Sequence, residues 1–166
     1  MNKKFNQIFY TLFFGTVLFL IFEIDKLDNT FDGKFFFLLT GGIGIIIAIL
    51  SIYILRKSLI RDNDRDTIKW LPLVFFMLFP AFGNFINHQF PHSKILTKEF
   101  KVLKKARMNR KGTGRKKNIE IRTKNGIERI IVKDSIWENV YEGKTVVFHT
   151  QIGFFNFEFV KEIKLK

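Results

Sequence analysis

Apolar and polar positions follow two different rules along this chain, and the changeover falls near residue 92. Before it stand three uncharged apolar runs, Phe5 to Phe22, Phe35 to Leu55 and Trp70 to Phe90. After it, apolar residues alternate with charged ones over short stretches. Crossing a hydrocarbon core about 30 Å thick takes roughly 17–25 helical residues, and each run is long enough. A soluble helix keeps a polar face. The first two runs have none, so each is expected to be a transmembrane helix. The third turns polar at Asn84, Asn87 and His88 and carries two prolines. Pro72 lies near the helix start, where a missing N–H costs little, whereas Pro80 predicts a kink. The third run is also expected to span, with a re-entrant or interfacial segment as the alternative. Lys3 and Lys4 precede the first run, but Glu23-Ile24-Asp25 follows it in place of a small-residue cleavage site. That run therefore reads as a retained signal anchor.

Beyond residue 94 the period changes to two. Phe100, Val102, Ala106 and Met108 share one parity, interrupted by Lys104, which predicts a β-strand. Arg110 to Gly114 is a loop signal, and Ile119, Ile121 and Thr123 alternate in a second strand. Asn125-Gly126 predicts a tight hairpin, since both residues tolerate positive φ, with Ile127 to Lys133 as the partner strand. Ser135-Ile136-Trp137-Glu138 has the spacing of a capping box and predicts a short helix ending near Gly143. Thr145 to Thr150 reads as a strand, followed by a turn at Gln151 to Gly153. Phe155, Phe157 and Phe159 then alternate with polar residues toward a final edge strand ending at Leu165.

Together these readings predict an α+β membrane protein. Residues 1–92 form a three-helix transmembrane domain with spans 5–22, 35–55 and 70–90. Residues 94–166 form a small β-barrel or meander of SH3-like or OB-like size with one short helix.

Charge sharpens this division. Residues 94–166 hold 19 of the 28 Lys and Arg but 8 of the 15 Asp and Glu. Eleven basic residues and one acid, Glu99, fall between Lys94 and Lys117. Nearly all of the net charge of +13 thus sits beside the last span. The chain has no Cys, which excludes a disulfide framework and a thiolate metal or redox site. The short loops set the orientation. Residues 23–34 carry four acids against Lys26 and Lys34, while residues 56–69 carry Arg56, Lys57, Arg61, Arg65 and Lys69. Positive charge stays inside, so the N-terminus is expected inside and the C-terminal domain outside a bacterial cytoplasmic membrane. Lys94 to Arg107 oppose this, but long domains translocate largely regardless of charge.

Candidate chemistry is sparse. No ionisable residue is expected inside any of the three spans, His88 standing at the exit of the third, and His88 with His92 makes a poor metal pair because Pro91 separates them and no carboxylate is near. No nucleophile elbow, HExxH or Walker signature occurs, so no catalytic residue, cofactor or metal is expected, and the protein is expected to be no enzyme. Gly41, Gly44 and Ala48 in the second run are placed for close helix packing, within one chain or between copies. The basic residues Lys101, Lys104, Lys105, Arg107, Arg110, Lys111, Arg115, Lys116 and Lys117 are expected to meet anionic lipid headgroups or a surface polyanion. Nucleic acid is a weaker candidate. A Lys-rich strand that merely resists edge pairing accounts for the same charges. A protein partner is the alternative, with the chain as a subunit, assembly factor or immunity-type protein. Phe154 and Val160 are then the partner patch, on the strand face opposite Phe155, Phe157 and Phe159.

Three segments carry a resemblance: Val132 to Trp137, Val140 to Val146 and Gly153 to Phe157. Their pattern of turns resembles the ending of uncharacterised small bacterial membrane proteins, over about residues 98–160. In those proteins a soluble β-domain closes with a capped turn, Gly-Asp-x-Val and Gly-Leu-Gly-aromatic. This chain departs from the pattern at Lys144 and Asn156. The resemblance implies one to three transmembrane helices and a domain facing away from the cytoplasm. It implies no reaction.

Overall fold

A computed structural model describes residues 3–60, 65–110 and 114–166, with side chains described outside 3–6, 8–9, 55–60, 65–67, 108–110 and 114–115. The fold is α+β: helices followed by a curled antiparallel five-stranded sheet. Three long helices come first, α1 (Lys3–Leu27), α2 (Gly33–Ile60) and α3 (Arg65–Gln89). The sheet is built from β1 (Leu96–Arg110), β2 (Gly114–Arg122), β3 (Ile127–Ile131), β4 (Thr145–Ile152) and β5 (Glu158–Leu165), with the short helix α4 (Asp134–Asn139) between β3 and β4. The chain forms two compact units. One takes in the residues up to Ile24 with Phe35–Phe85, the other Asp25–Lys34 with Ile86–Lys166.

In the helical unit, Gly33–Ile54 and Ile68–Gln89 are long and apolar enough to cross a membrane. Among the described residues α1 does not make the expected third span, because the stretch from Tyr10 to Leu27 closes on Glu23, Asp25 and Lys26. α3 runs as one helix through Pro72 and Pro80. α2 meets α3 at its small residues. A Cβ added at Gly44 would lie 2.5 Å from the Phe75 carbonyl oxygen, and one at Gly41 would lie 2.7 Å from the Phe76 ring. Ala48 is fully buried. Gly42, one position off that line, has open space around it. Asn84 on α3 donates its amide to the Glu23 carboxylate at 2.9 Å, and both residues are buried, so a polar bond ties α1 to α3.

In the sheet unit the strand order is β3-β2-β1-β4-β5, with every neighbouring pair antiparallel. This is an open half-barrel and departs from a simple meander. The 15-residue β1 sits in the middle, its first half paired with β4 and its second half with β2. A bulge between Val102 and Lys104 separates the halves, and bulges bend a strand and increase its twist. The bulge also overturns the expected shared parity, because beyond it Ala106 stands opposite Asn118, on the face away from Val102. The core is Val102, Ile119, Ile121, Ile130, Val132, Val140, Val146 and Phe148, with Phe31 added from the loop between α1 and α2. That loop is stitched into the sheet. The Phe31 N–H donates to the Glu158 carbonyl at 2.8 Å, the Val160 N–H to Asn29 O at 2.9 Å, and the Ile131 N–H to the Asn29 side chain at 3.0 Å.

Three local expectations are corrected. The hairpin after β2 forms, but over four residues, and of its residues only Gly126 has positive φ. Thr123 makes the difference, its hydroxyl accepting from the Asn125 N–H while its own N–H bonds the Gly126 carbonyl. α4 has no capping box, because Lys133 occupies the N-cap position and Ser135 falls inside the helix. Phe155 and Phe157 lie in a turn rather than a strand. Asn156, at φ 64°, and the Gly153–Phe157 backbone bond close that turn, so β5 begins only at Glu158. Asn87 holds the turn from outside. It accepts from the Phe155 N–H at 2.9 Å and donates to the Phe157 carbonyl at 3.0 Å.

Candidate functional site

The basic stretch is carried mainly by the β1–β2 hairpin, and its register decides where each cation points. Residues directly opposite in an antiparallel pair share a face. Before the bulge, Val102 stands opposite Ile121 on the core side, which puts Lys101 on the outer face. After it, Lys104 stands opposite Glu120 and remains outside, whereas Lys105 stands opposite the buried Ile119. Arg107 stands opposite Lys117 on that same inner side. One extra residue therefore splits the run in two.

The inner set gathers on one indole. Lys105 Nζ lies 4.2 Å from the Trp137 ring centroid, the Arg107 guanidinium 4.7 Å and Lys117 Nζ 5.1 Å. A cation over an indole face is attracted by about 0.5–1 kcal/mol where exposed. Lys105 also donates to the Val140 carbonyl at 2.6 Å, which fixes its ammonium beside α4. Lys117 is neutralised by Asp134 at 3.3 Å and Glu138 at 3.2 Å. On the outer set Lys116 pairs with Asp25 of the α1–α2 loop. Lys101, Lys104, Lys105 and Arg107 make no ion pair among the described residues, and all but Lys105 are exposed. Arg110, Lys111 and Arg115 belong to the expected set but lie outside the described side chains.

The expected Phe154–Val160 patch is not one face of one strand. Phe154 is exposed in the turn before β5, edge-to-face with Phe155 at 5.1 Å, while Val160 packs against the core. The reason is the turn itself, which ends the alternation at Glu158. A different apolar group results. The turn bearing Phe154 and Phe155 is bonded to Asn87, three residues before the exposed Phe90 at the end of α3. Sequence reasoning missed this group because Asn87 sits more than sixty residues from the turn it holds.

His88 is a packing residue in this unit. Its imidazole lies 3.0 Å from the Thr30 hydroxyl and stacks on Phe159 with centroids 4.0 Å apart. No cluster of three metal-ligating side chains occurs among the described residues. One carboxyl is perturbed: burial pushes Glu128 above the usual range, with Asp32 alongside adding to the rise, while the Asp32 N–H it accepts at 3.2 Å offsets part of it. No protein-family model matches the chain, and no curated protein matches it. The reading therefore rests on geometry and charge.

Proposed function

We propose that this chain is an integral protein of a bacterial cytoplasmic membrane that presents a basic β-domain at the bilayer surface. It acts by contact rather than catalysis. The helices α2 and α3 cross the bilayer, and the domain lies outside. Its cations meet anionic lipid headgroups or an equivalent surface polyanion. The single observation that carries this reading is chain order: two apolar helices lead into a sheet on which Lys101, Lys104 and Arg107 are exposed and make no ion pair among the described residues. The α1–α2 loop and the strands belong to one compact unit, as alternating spans require. Exposed Phe90, Phe154 and Phe155 give the sheet unit an apolar contact surface, of the kind that marks protein or membrane interaction sites. The turn pattern shared with small bacterial membrane proteins supports the same placement.

The test uses the full-length chain, since residues 94–166 alone lack Phe31 and Asn29. Reconstituted in nanodiscs of neutral or anionic lipid, it is treated with an amine-acylating reagent and read by mass spectrometry. Lys101 and Lys104 are expected to react about fivefold more slowly in anionic discs, the equivalent of about 1 kcal/mol per contact. About 0.5 M salt should abolish the difference. Equal rates in the two lipids would contradict surface docking. A stoichiometric protein co-purifying from detergent would favour the subunit reading.

A further inference from the structure

The sheet unit encloses a cavity of about 410 Å³ that the surface-contact reading does not use. Four segments far apart in sequence build it: the α1–α2 loop, β1, the β2–β3 hairpin and the β4–β5 turn. Phe31 and Phe100 form an aromatic side, their ring centroids 5.9 Å apart. Among the described residues only two non-glycine positions adopt positive φ, Asp32 at 56° and Asn156 at 64°, and both line this cavity. Such conformations persist where the surroundings over-determine them, and they cluster at binding sites.

The charges on its wall select a ligand class. Lys98 and Glu158 cancel one another at 2.5 Å, and the Glu158 carboxylate is further held by the Thr150 hydroxyl. Two charges are left over. Asp32 accepts from the Asn125 amide, lies beside the Glu128 carboxyl, and has no cationic partner among the described residues. Lys124 is exposed at the rim and likewise has none. A ligand with one charge would match only one of these and forgo the second contact. We infer that this cavity binds a small zwitterion, its ammonium between Asp32 and the aromatic side and its monoanionic group at Lys124. Carboxylate–ammonium contact and cation–π attraction then act on the same end of the ligand. The volume lies toward the lower end of the range for small-molecule pockets. Free solutes and lipid headgroups both offer this chemistry.

The experiment titrates the full chain, in non-ionic detergent micelles, with glycerophosphoethanolamine, and compares it with ethanolamine and with glycerol 3-phosphate. The zwitterion is expected to bind saturably and about tenfold tighter than either single-charge compound. D32N, which keeps the side-chain shape and tolerates positive φ, and K124Q, at an exposed position, should each weaken it about tenfold. Equal affinity for a single-charge compound, an unchanged affinity in either variant, or no saturable binding would overturn the inference. Repeating the titration with phosphatidylethanolamine in the micelles separates the sources. Competition assigns the site to headgroups, and undiminished binding of the soluble probe assigns it to a free zwitterion. Neither result bears on whether the basic face docks on anionic lipid.

Discussion

The two units of this molecule keep opposite company with their apolar side chains. In the sheet unit Val102, Ile119, Ile121, Val146 and Phe148 are almost wholly buried, and most exposed strand positions are charged or polar. In α2 the large apolar residues Leu38, Ile46, Leu50 and Ile54 are each more than half exposed, and 22% of Gly33–Ile54 is buried. A water-soluble monomer seldom tolerates an apolar patch of that extent. The contrast also appears in what holds each unit together. The sheet unit relies on a packed apolar core, which gains from leaving water. The helical unit relies on close backbone approach at Gly41 and Gly44 and on the Asn84–Glu23 bond. Small-residue contacts and cross-helix hydrogen bonds are what remains when the surroundings are as apolar as the side chains.

The largest effect is expected where the contrast is least obvious from sequence. Phe31 comes from a loop between two helices yet belongs to the sheet core, so Phe31→Ala should destabilise the sheet unit by about 3–5 kcal/mol. Chemical denaturation followed by Trp137 emission reads this. A loss below about 1 kcal/mol would mean that the loop is a mere connection.

The helical counterpart is a paired substitution. Gly44→Val places its Cβ against the Phe75 carbonyl and should cost about 1–3 kcal/mol of helical-unit stability in detergent. Gly42→Val meets open space and should change little. Equal effects of the two would remove close approach as the binding principle of that unit.

The smallest effect is electrostatic. Glu128 has a folded pKa above its unfolded value of 4.5, so the folded state holds that proton more firmly. Its contribution to stability is complete below the unfolded value and is lost as pH rises through the raised folded value. Glu128→Gln, which keeps an oxygen to accept the Asp32 N–H, removes that loss. Relative to the parent, the variant should gain stability as pH rises above the unfolded value of 4.5. A flat difference across that range would contradict the perturbed carboxyl.

What the sequence disclosed and what it hid follow the same division. Period and length alone located α2 and α3, and alternation located the inward faces of Val102, Ile119, Ile121, Val146 and Phe148. The hairpin after β2 was legible from Asn125-Gly126, though its loop length depended on the Thr123 hydroxyl. Hidden were features that depend on a distant partner. The bulge at Val102–Lys104 divides the basic run between two faces, and nothing in the run itself says which cations will find Trp137. Asn87 stops the Phe155–Phe159 alternation from becoming a strand. Phe31 and Asn29 read as loop residues because their partners lie about a hundred positions away. Of the candidate site, the charge was legible and its arrangement was not.

The central claim is that the apolar faces of α2 and α3 are solvated by lipid. Membranes from cells producing the full-length chain can be washed at alkaline pH and sedimented. The chain is expected to remain in the pellet until detergent is added, and its recovery in the detergent-free supernatant would contradict the account.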